Sequence, residues 1–429
     1  MTQTAFPWAI LIAALGLALS VPPARAVTLT VGTREGDVVG SDNKALQAAV
    51  DHVSRKDGGT VYIKSGTYTM YDALHLKSGV NVVGLGPAPV LEKAPAVTVP
   101  LAEDAGYGLK TIVLQDASGL APGMGVTLCD DLHRTGWYVN TRTIKRIEGN
   151  AIVLDQELDL DYLVARNGRV EGTHSVIFGK QVRNVRIENL IADGNRAHTP
   201  HLNGCRGAAI YLWKSERCVV DGCKARNFNG DGISYQVSPF VTVTRCRSYR
   251  NAGCGVHPGS GSHHTEVTDC NIYDNGNTGL FLCWRVKDSR FADNVIERNG
   301  ADGISIGHKD TDNLLAGNTV ERNGRHGVAF RAEAEANGGH RNTLQDNVIR
   351  DNGQDEPGDG IHISGITYDI DILGNTIEDT TRDGRVTQRN GILVGEGADG
   401  IKTRGNVIRG HSGEMIVDRS KAPGNSLQL

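Results

Sequence analysis

The feature that most constrains the fold is a repeat of about two dozen residues. The phrase NVIERNG at 294–300 returns as NTVERNG at 318–324, and each copy is followed by a Gly and a short apolar run. Such periods are typical of stacked arrays. Two columns of equivalent positions extend the repeat: Cys223, Cys246, Cys270, Asn294, Asn318, Asn347, Asn375 and Asn406 form the first, and Gly232, Gly255, Gly279, Gly303, Gly327, Gly360 and Gly391 form the second.

The runs that begin at the Gly column have the alternation of short strands. They read GISYQ, GVHPG, GLFLC, GISIG, GVAFR, GIHIS and GILVG, with apolar residues at nearly every first and third position after the Gly. This alternation predicts strands with one buried face. The whole unit predicts an all-β fold, a right-handed parallel β-helix with three short strands per coil and coils about 4.8 Å apart. We expect the Asn/Cys column to form a corner ladder, in which Asn adopts a left-handed backbone and stacked amides bond to one another.

The N-terminal part of the chain has a different pattern. An apolar run at 8–21 followed by Ala24-Arg25-Ala26 predicts a signal peptide over 1–26 and a secreted or periplasmic protein without a later transmembrane segment; an uncleaved anchor is the alternative. Residues 43–56 predict a capping helix within an N-terminal unit, 27–99, that also contains the first coils. The rhythm is lost over 100–172, which predicts a small β-rich insertion, and the main β-helix follows over 173–429.

Charge and cysteine content exclude some classes. Removing residues 1–26 leaves 44 basic and 49 acidic residues, a net charge of −5, so no nucleic-acid partner is expected. The eight Cys have no zinc-site spacing, so no metal is predicted. Export permits disulfides, but the repeat already supplies a core, and we expect buried free thiols.

Three features resemble the pectin-lyase-like superfamily of secreted right-handed β-helix proteins. They are the helix followed by GGTVYIKSGTY, the Asn/Cys column and the G-I-x-I coils, over residues 41 to about 415. Members include pectate, alginate and chondroitin lyases, galacturonases, C5-epimerases, fructan transferases and phage tailspikes, so the resemblance implies a polysaccharide substrate. It also implies that the substrate lies along the strands that begin at the Gly column.

Several cationic and imidazole side chains should face outward on those strands and on the loops that follow them. The candidate catalytic residues are His257, His308, Lys309, Arg285 and Arg331. Such a cluster on an acidic chain favours an anionic ligand, such as a uronate chain. β-Elimination from a uronic acid needs a neutralised carboxylate, a base for the C5 proton and an acid for the leaving oxygen. The two arginines would neutralise, and the other three residues would transfer protons.

A second set of outward residues should bind the polymer. These substrate-binding candidates are Gln236, Tyr211, Phe281, Trp284, His326 and His362. The aromatic rings would stack on sugar faces. We therefore predict an exported carbohydrate-active enzyme, a polysaccharide lyase acting on a uronate-containing polysaccharide.

Three alternatives stay open. A glycoside hydrolase or transglycosidase would use a carboxylate pair drawn from Asp231, Asp302, Asp310, Glu333 and Glu335. A C5-epimerase is the second, although the Asp-Pro-His of alginate epimerases is reduced here to a His-Pro at 257–258 and the Arg-His-Gly at 325–327 comes late. A non-catalytic glycan-binding protein is the third. No cofactor is predicted; calcium stays open, but no nest of neighbouring carboxylates supports it.

Overall fold

The computed structural model describes residues 27–381 and 387–429. The signal peptide predicted over 1–26 lies outside these residues. None of the helices in the described part combines the length and apolar character needed to cross a membrane.

Three long parallel sheets form the body of the protein, and they confirm the predicted right-handed parallel β-helix. Sheet A consists of Val38–Val39, Val27–Gly32, Gly59–Ile63, Val80–Gly84, Arg183–Glu188, Glu216–Asp221, Thr242–Thr244, Glu266–Thr268, Arg290–Ala292, Leu314–Ala316, Thr343–Gln345, Asp371–Leu373, Lys402–Arg404 and Ser426–Leu427. Sheet B consists of Thr67–Met70, Val90–Lys93, Ile191–Asp193, Lys224–Arg226, Arg247–Tyr249, Asn271–Tyr273, Val295–Glu297, Thr319–Glu321, Val348–Arg350, Thr376–Glu378 and Val407–Arg409.

Sheet C contains the strands that begin at or near the Gly column. It consists of Leu74–His75, Ile177–Lys180, Ala208–Trp213, Asp231–Gln236, Val256–Gly259, Leu280–Phe281, Ile304–Ile306, Val328–Phe330, Gly358–Ile363, Gln388–Val394 and Ile416–Asp418. Each strand pairs with its equivalent one coil later, so Ile233 pairs with Val256 and Val256 with Leu280. These inward side chains are almost completely buried and form one continuous core.

The Asn column forms the predicted ladder. The Nδ2 of Asn294 donates to Oδ1 of Asn318 at 2.9 Å, and Asn318 donates in the same way to Asn347 at 2.9 Å. The backbone expectation was wrong, however. The left-handed residue is the one before each Asn, such as Asp293 with φ 58° and Gly317 with φ 65°. The Asn itself keeps an ordinary φ because its amide must point inward to meet its neighbours, and the preceding residue makes the bend.

A second ladder lies at the next corner and was not predicted. It consists of Asn251, Asn275, Asn299, Asn323, Asn352 and Gln388. Its signal is the second Asn of the repeated phrase, which is followed by Gly at Asn275, Asn299, Asn323 and Asn352. Because both ladders satisfy buried amides from coil to coil, they fix the stacking of the coils.

The helix Asn43–Ser54 covers the N-terminal end of the core. Asp42 caps it by accepting hydrogen bonds from the backbone N–H of Lys44 and Ala45. One helical stripe, which includes Leu46 and Val50, is completely buried against the first coils.

A separate antiparallel sheet, sheet D, is inserted in the chain after the first coils, which nevertheless pair directly with the coils that follow it. Its six strands are Thr98–Pro100, Arg169–Glu171, Gly125–Cys129, Asn140–Glu148, Ala151–Leu154 and Thr111–Val113. It has its own apolar core. It contacts the N-terminal end of sheet C through two hydrogen bonds from its hydroxyls, Thr143 to Asp72 at 2.6 Å and Thr127 to the carbonyl of Thr173 at 2.7 Å.

All eight cysteines are free thiols, and seven of them are buried while Cys205 is half-buried. Three continue the Asn ladder toward the N-terminus, and the backbone N–H of Cys270 donates to Oδ1 of Asn294 at 3.0 Å.

Candidate functional site

The outer face of sheet C is partly covered by the loop 199–207. Ser234 donates from its hydroxyl to the carbonyl of Gly204 at 2.7 Å, and Tyr211 donates to the carbonyl of Cys205 at 2.6 Å. Tyr211 and Gln236 are buried, with 2% and 0% of their surface exposed. Both were predicted to contact the substrate, but neither is exposed to a polymer, because the loop covers Tyr211 and the next coil packs on the Gln236 amide at Gly259. An outward direction in a strand does not ensure exposure when a distant loop folds over it.

Five of the predicted residues form one continuous chain of contacts, which we name the Arg331 cluster: His257, Phe281, Arg331, His308 and Trp284. The His257 ring meets the Phe281 ring edge-on at 5.0 Å, and the Arg331 guanidinium lies 4.7 Å from the Phe281 centroid. Arg331 Nη2 is 3.3 Å from His308 Nδ1. The His308 ring stacks on Trp284. Coil stacking brings these groups together from positions up to 74 residues apart in the chain.

His257 is backed by a carboxylate. Its Nδ1 lies 2.7 Å from Oδ2 of Asp231, and both residues are buried. Since the carboxylate accepts, Nδ1 carries the proton, and the lone pair of a neutral ring is then on Nε2. Nε2 is buried and has no hydrogen-bond partner among the residues that the structure describes. Gly204 packs so closely on this pair that a Cβ there would lie 1.7 Å from Asp231 Oδ2.

Arg331 reaches back across two coils. It donates to the hydroxyl of Ser305 at 2.9 Å and to the carbonyl of Leu282 at 2.8 Å, while its buried Nε has no hydrogen-bond partner in the described part of the chain. The side chain passes over Gly307, where a Cβ would lie 2.9 Å from Nε. The absence of a side chain at Gly307 therefore makes room for the guanidinium at the middle of the face.

His308 is held between two partners of opposite charge. Its Nε2 lies 2.8 Å from Oε1 of Glu333, and its Nδ1 faces Arg331 and, at 3.5 Å, the Cys283 sulfur. Because guanidinium can only donate, Nδ1 holds the lone pair and Nε2–H points at Glu333. Burial and the positive charge of Arg331 lower the pKa of His308, while Glu333 opposes this shift. The imidazole is therefore neutral near pH 7. Its side chain is partly exposed.

Asp310 lies behind Arg331, and its carboxylate binds backbone N–H groups at the corner after sheet C. Its carboxylate accepts from the backbone N–H of Val286 at 2.9 Å and of Gly307 at 3.1 Å, and it is 3.4 Å from Arg331 Nη2. Burial raises the pKa of Asp310 to about 7, although Arg331 acts in the opposite direction. Its exposed surface is 0%, so it does not face a substrate.

Arg285 and Lys309 border the cluster. Both have left-handed backbones, with φ 65° and 67°, at the bend where sheet C strands end. Arg285 is exposed and Lys309 is half-buried. The backbone N–H of Arg285 donates to the carbonyl of His308 at 2.9 Å, which keeps the two loops side by side.

His326 and His362 lie further along sheet C, apart from the Arg331 cluster. Their rings are 4.2 Å apart, and His362 Nδ1 lies 2.6 Å from Asp359 Oδ2. His326 Nδ1 accepts the backbone N–H of Asp359 at 3.0 Å. Burial, followed by the neighbouring His362, lowers the pKa of His326 to about 4.

These three residues are also the one group of His, Cys or carboxylate side chains in the described part of the chain that could hold a metal. One donor atom of each lies within 4.8 Å of the others. Both Nδ1 atoms are already hydrogen-bonded to Asp359, however. A metal at these atoms would displace both bonds, so the group fits a hydrogen-bonded trio better than a metal site.

Glu333 and Asp231 were not predicted as histidine partners, and Ser305 was not predicted as a site residue. Their signal was present, since Ser305 occupies an outward position and Glu333 lies in the loop after Arg331. The pairing itself depends on which loop turns toward which strand, and a repeat does not specify that.

The comparisons with known proteins agree on the architecture. The family model described as right handed beta helix region matches residues 130–282, 175–336 and 260–427. No curated protein is detectably similar in sequence. Among solved structures, the A-module of mannuronan C-5 epimerase AlgE4 of Azotobacter vinelandii is 16% identical with a TM-score of 0.58, covering 93% of this chain and 100% of that one.

Two further structures have the same fold. The Dettilon tailspike protein is 13% identical with a TM-score of 0.57, covering 89% of this chain and 61% of its own. A glycoside hydrolase is 12% identical with a TM-score of 0.51, covering 93% of this chain and 96% of its own. At these identities the similarity establishes the fold alone.

Proposed function

The chain belongs to the right-handed β-helix family, and from that premise we propose that it is an exported enzyme that cleaves a uronate-containing polysaccharide by β-elimination. The observation that supports this best is the 3.3 Å between Arg331 Nη2 and His308 Nδ1. In a uronic acid, the proton to be removed is on the carbon next to the carboxylate. The neutralising cation and the base must therefore lie within a few ångströms of each other, as these two groups do.

Each residue of the cluster has a proposed role. Arg331 binds the substrate carboxylate, which draws the guanidinium away from His308 and frees the Nδ1 lone pair. His308 then takes the C5 proton, and Glu333 stabilises the resulting imidazolium through Nε2–H. Lys309, half-buried beside the base, is the proposed acid for the leaving oxygen. Arg285 is proposed as a second contact for substrate carboxylates.

The lowered pKa of His308 supports its role as the base, because a base must be neutral before it accepts a proton. The carboxylates that contact the Arg331 cluster support elimination over hydrolysis. Asp231, Asp310 and Glu333 are each bonded to a histidine, to backbone N–H groups or to Arg331. A hydrolase would need two of them free on either side of a glycosidic bond.

The test is product analysis with alginate, polygalacturonate, hyaluronate and chondroitin sulfate. We expect one of these polymers to yield unsaturated oligosaccharides that absorb in the near ultraviolet. His308→Gln and Glu333→Gln should lower the rate about 100-fold or more, whereas His264→Gln, an exposed imidazole outside the cluster, should have no effect. Oligosaccharides without that absorbance would contradict elimination and favour hydrolysis.

A C5-epimerase is the second candidate, because it begins with the same proton removal. The epimerase candidate is favoured by a second imidazole that is bonded to a carboxylate. This is His257, which is bonded to Asp231 and lies on the other side of Phe281. In this second candidate, His308 would remove the proton, and His257, whose Nε2 is buried, would have to become accessible to return it from the opposite face. In that case, proton NMR would show a changed ratio of epimers in a polymer of unchanged length, and no ultraviolet absorbance would develop.

A further inference from the structure

We propose that the N-terminal end of sheet C holds a separate subsite for an acidic sugar unit, built around Trp213 by Lys180, Arg206 and Lys214. None of these residues belongs to the Arg331 cluster. We name this group the Trp213 subsite. The inference rests on the proposed function for its choice of ligand, a uronate unit of the same polymer.

Three cations surround one indole ring. The Nζ of Lys214 lies 4.7 Å from the Trp213 ring centroid, the Nζ of Lys180 lies 5.3 Å away, and the guanidinium carbon of Arg206 lies 6.0 Å away. Arg206 also lies 5.1 Å from the ring of Trp137 in the insertion and donates twice to its carbonyl. The insertion therefore helps to position this cation.

The cations of the Trp213 subsite have no acidic partner in the described residues. Lys180 donates to the neutral amide of Gln156 at 2.6 Å, and Arg206 donates to a carbonyl. Neither these two nor Lys214 lies within 4 Å of a carboxylate, although most other arginines of this acidic protein do. Burial and then the nearby Arg142 lower the pKa of Lys180, while Asp155 and Asp159 oppose this shift. A bound anion would place an acidic partner in direct contact with the cations.

The Trp213 subsite is aligned with the Arg331 cluster. Trp213 pairs with Gln236, Gln236 with Gly259 and Gly259 with Cys283, which directly precedes Trp284. The two tryptophans are three coils apart. At about 4.8 Å per coil, this corresponds to about 14 Å along the β-helix. This distance is close to the length of about three sugar units. The intervening Gln236 and Gly259 are buried, so neither residue projects between the two tryptophans.

An aromatic ring with flanking cations suits a sugar that bears a carboxylate. The ring supplies an apolar face for the pyranose, and the cations bind the acid group. A polymer lying across both sites would place its reacting unit at Arg331 and a unit about three positions away at Trp213. The subsite would thus select acidic polymers and position them for the reaction.

The test is native gel electrophoresis in gels that contain polygalacturonate, alginate or neutral dextran. We expect the acidic polymers to retard the wild type, and Lys180→Met/Lys214→Met to weaken the retardation about tenfold. Lys180→Arg/Lys214→Arg should restore it. The matched control is Lys224→Met/Lys402→Met, which removes two lysines from sheets B and A. Thermal unfolding of each variant checks that the fold is intact.

The outcomes separate this inference from the proposed function. If His308→Gln is retarded like the wild type and only the lysine variant is not, the subsite is supported whether or not elimination occurs. In an activity assay, the lysine variant should raise KM and leave kcat nearly unchanged. Retardation of the lysine variant equal to that of the control overturns the inference. So does equal retardation by dextran, or the absence of any retardation of the wild type.

Discussion

The imidazole of His308 lies parallel to the indole of Trp284, with ring centroids 4.8 Å apart and an angle of 7° between the planes. Trp284 is 39% exposed, and the imidazole covers one of its faces. We expect a sugar ring to contact the exposed part of the indole. Through this stack, the proposed base is attached directly to the proposed binding surface, and a polymer that rests on Trp284 lies next to Arg331.

Trp284→Ala should remove both the sugar platform and the support of His308. Because a buried or bound aromatic pair contributes about 1 kcal/mol beyond its area, we expect kcat/KM on the acidic substrate to fall about tenfold or more. Trp284→Phe retains a flat ring and should lose much less. Initial rates of unsaturated product measure the effect, and equal losses in the two variants would contradict a stacking role.

Arg331→Gln should make stability depend more strongly on pH. Arg331 lowers the pKa of buried Asp310, so its loss raises a folded-state pKa that is already about 7, above the unfolded value of 3.8. A raised carboxyl pKa contributes stability at low pH that is lost as the pH rises through the folded pKa. Urea unfolding between pH 5 and pH 8 should therefore show a steeper decline than in the wild type, by about 1.4 kcal/mol per unit of additional shift.

The double variant Arg331→Gln/Asp310→Asn provides the control for that measurement. It has no titrating group at position 310, so the added pH dependence should disappear while activity stays low. Recovery of activity in the double variant would contradict the role of Arg331 in neutralising the substrate.

Asn318→Ala should weaken the ladder in the middle of the β-helix. Its amide donates to Asn347 and to the carbonyl of Phe291, and its oxygen accepts from Asn294, all at buried positions. Leaving these groups unsatisfied should lower the free energy of unfolding by about 3 kcal/mol. Arg322→Ala, at an exposed position of the same coil, should change it by less than about 0.5 kcal/mol. Denaturant unfolding measures both, and similar small losses would show that the ladder is not needed for stability.

His326→Asn should protect the protein against mild acid. The pKa of His326 is about 4 when folded and 6.5 in the unfolded chain, so protonation favours the unfolded state as the pH falls below 6.5. Between pH 7 and pH 5 this residue should cost about 2 kcal/mol. The Asn variant keeps an acceptor for the N–H of Asp359 and should lose less stability than the wild type over this range. His201→Asn, at an exposed position, should behave like the wild type; a parallel decline of all three proteins would contradict the prediction.

The repeat predicted the fold because it depends on neighbouring residues and on their equivalents one coil away. Positions such as Ile304 and Val328 recur at the coil period, and the alternation around them identifies the buried face. The Asn294–Asn318 ladder follows from the same period. The left-handed residue was misplaced by one position, since a one-letter pattern shows that a corner bends but not which of two adjacent peptides bends.

The Arg331 cluster could be predicted in part, for the same reason. Coil stacking places His257, His308 and Arg331 on one face once the period is known. The period does not distinguish the buried Tyr211 from the half-exposed His308, because the burial of Tyr211 depends on the loop 199–207, which lies outside the repeating strands.

The amino-acid pattern was thus sufficient for the coil, the core and the face that carries the polar groups, because those properties arise between neighbouring positions and their equivalents one coil away. Tertiary structure decided which imidazoles obtained carboxylate partners, such as Glu333 for His308, and which outward side chains were covered. The reason is physical: a loop's path and the burial it causes depend on the sum of many weak contacts between distant segments, whereas a repeated corner is determined by a few strong hydrogen bonds nearby.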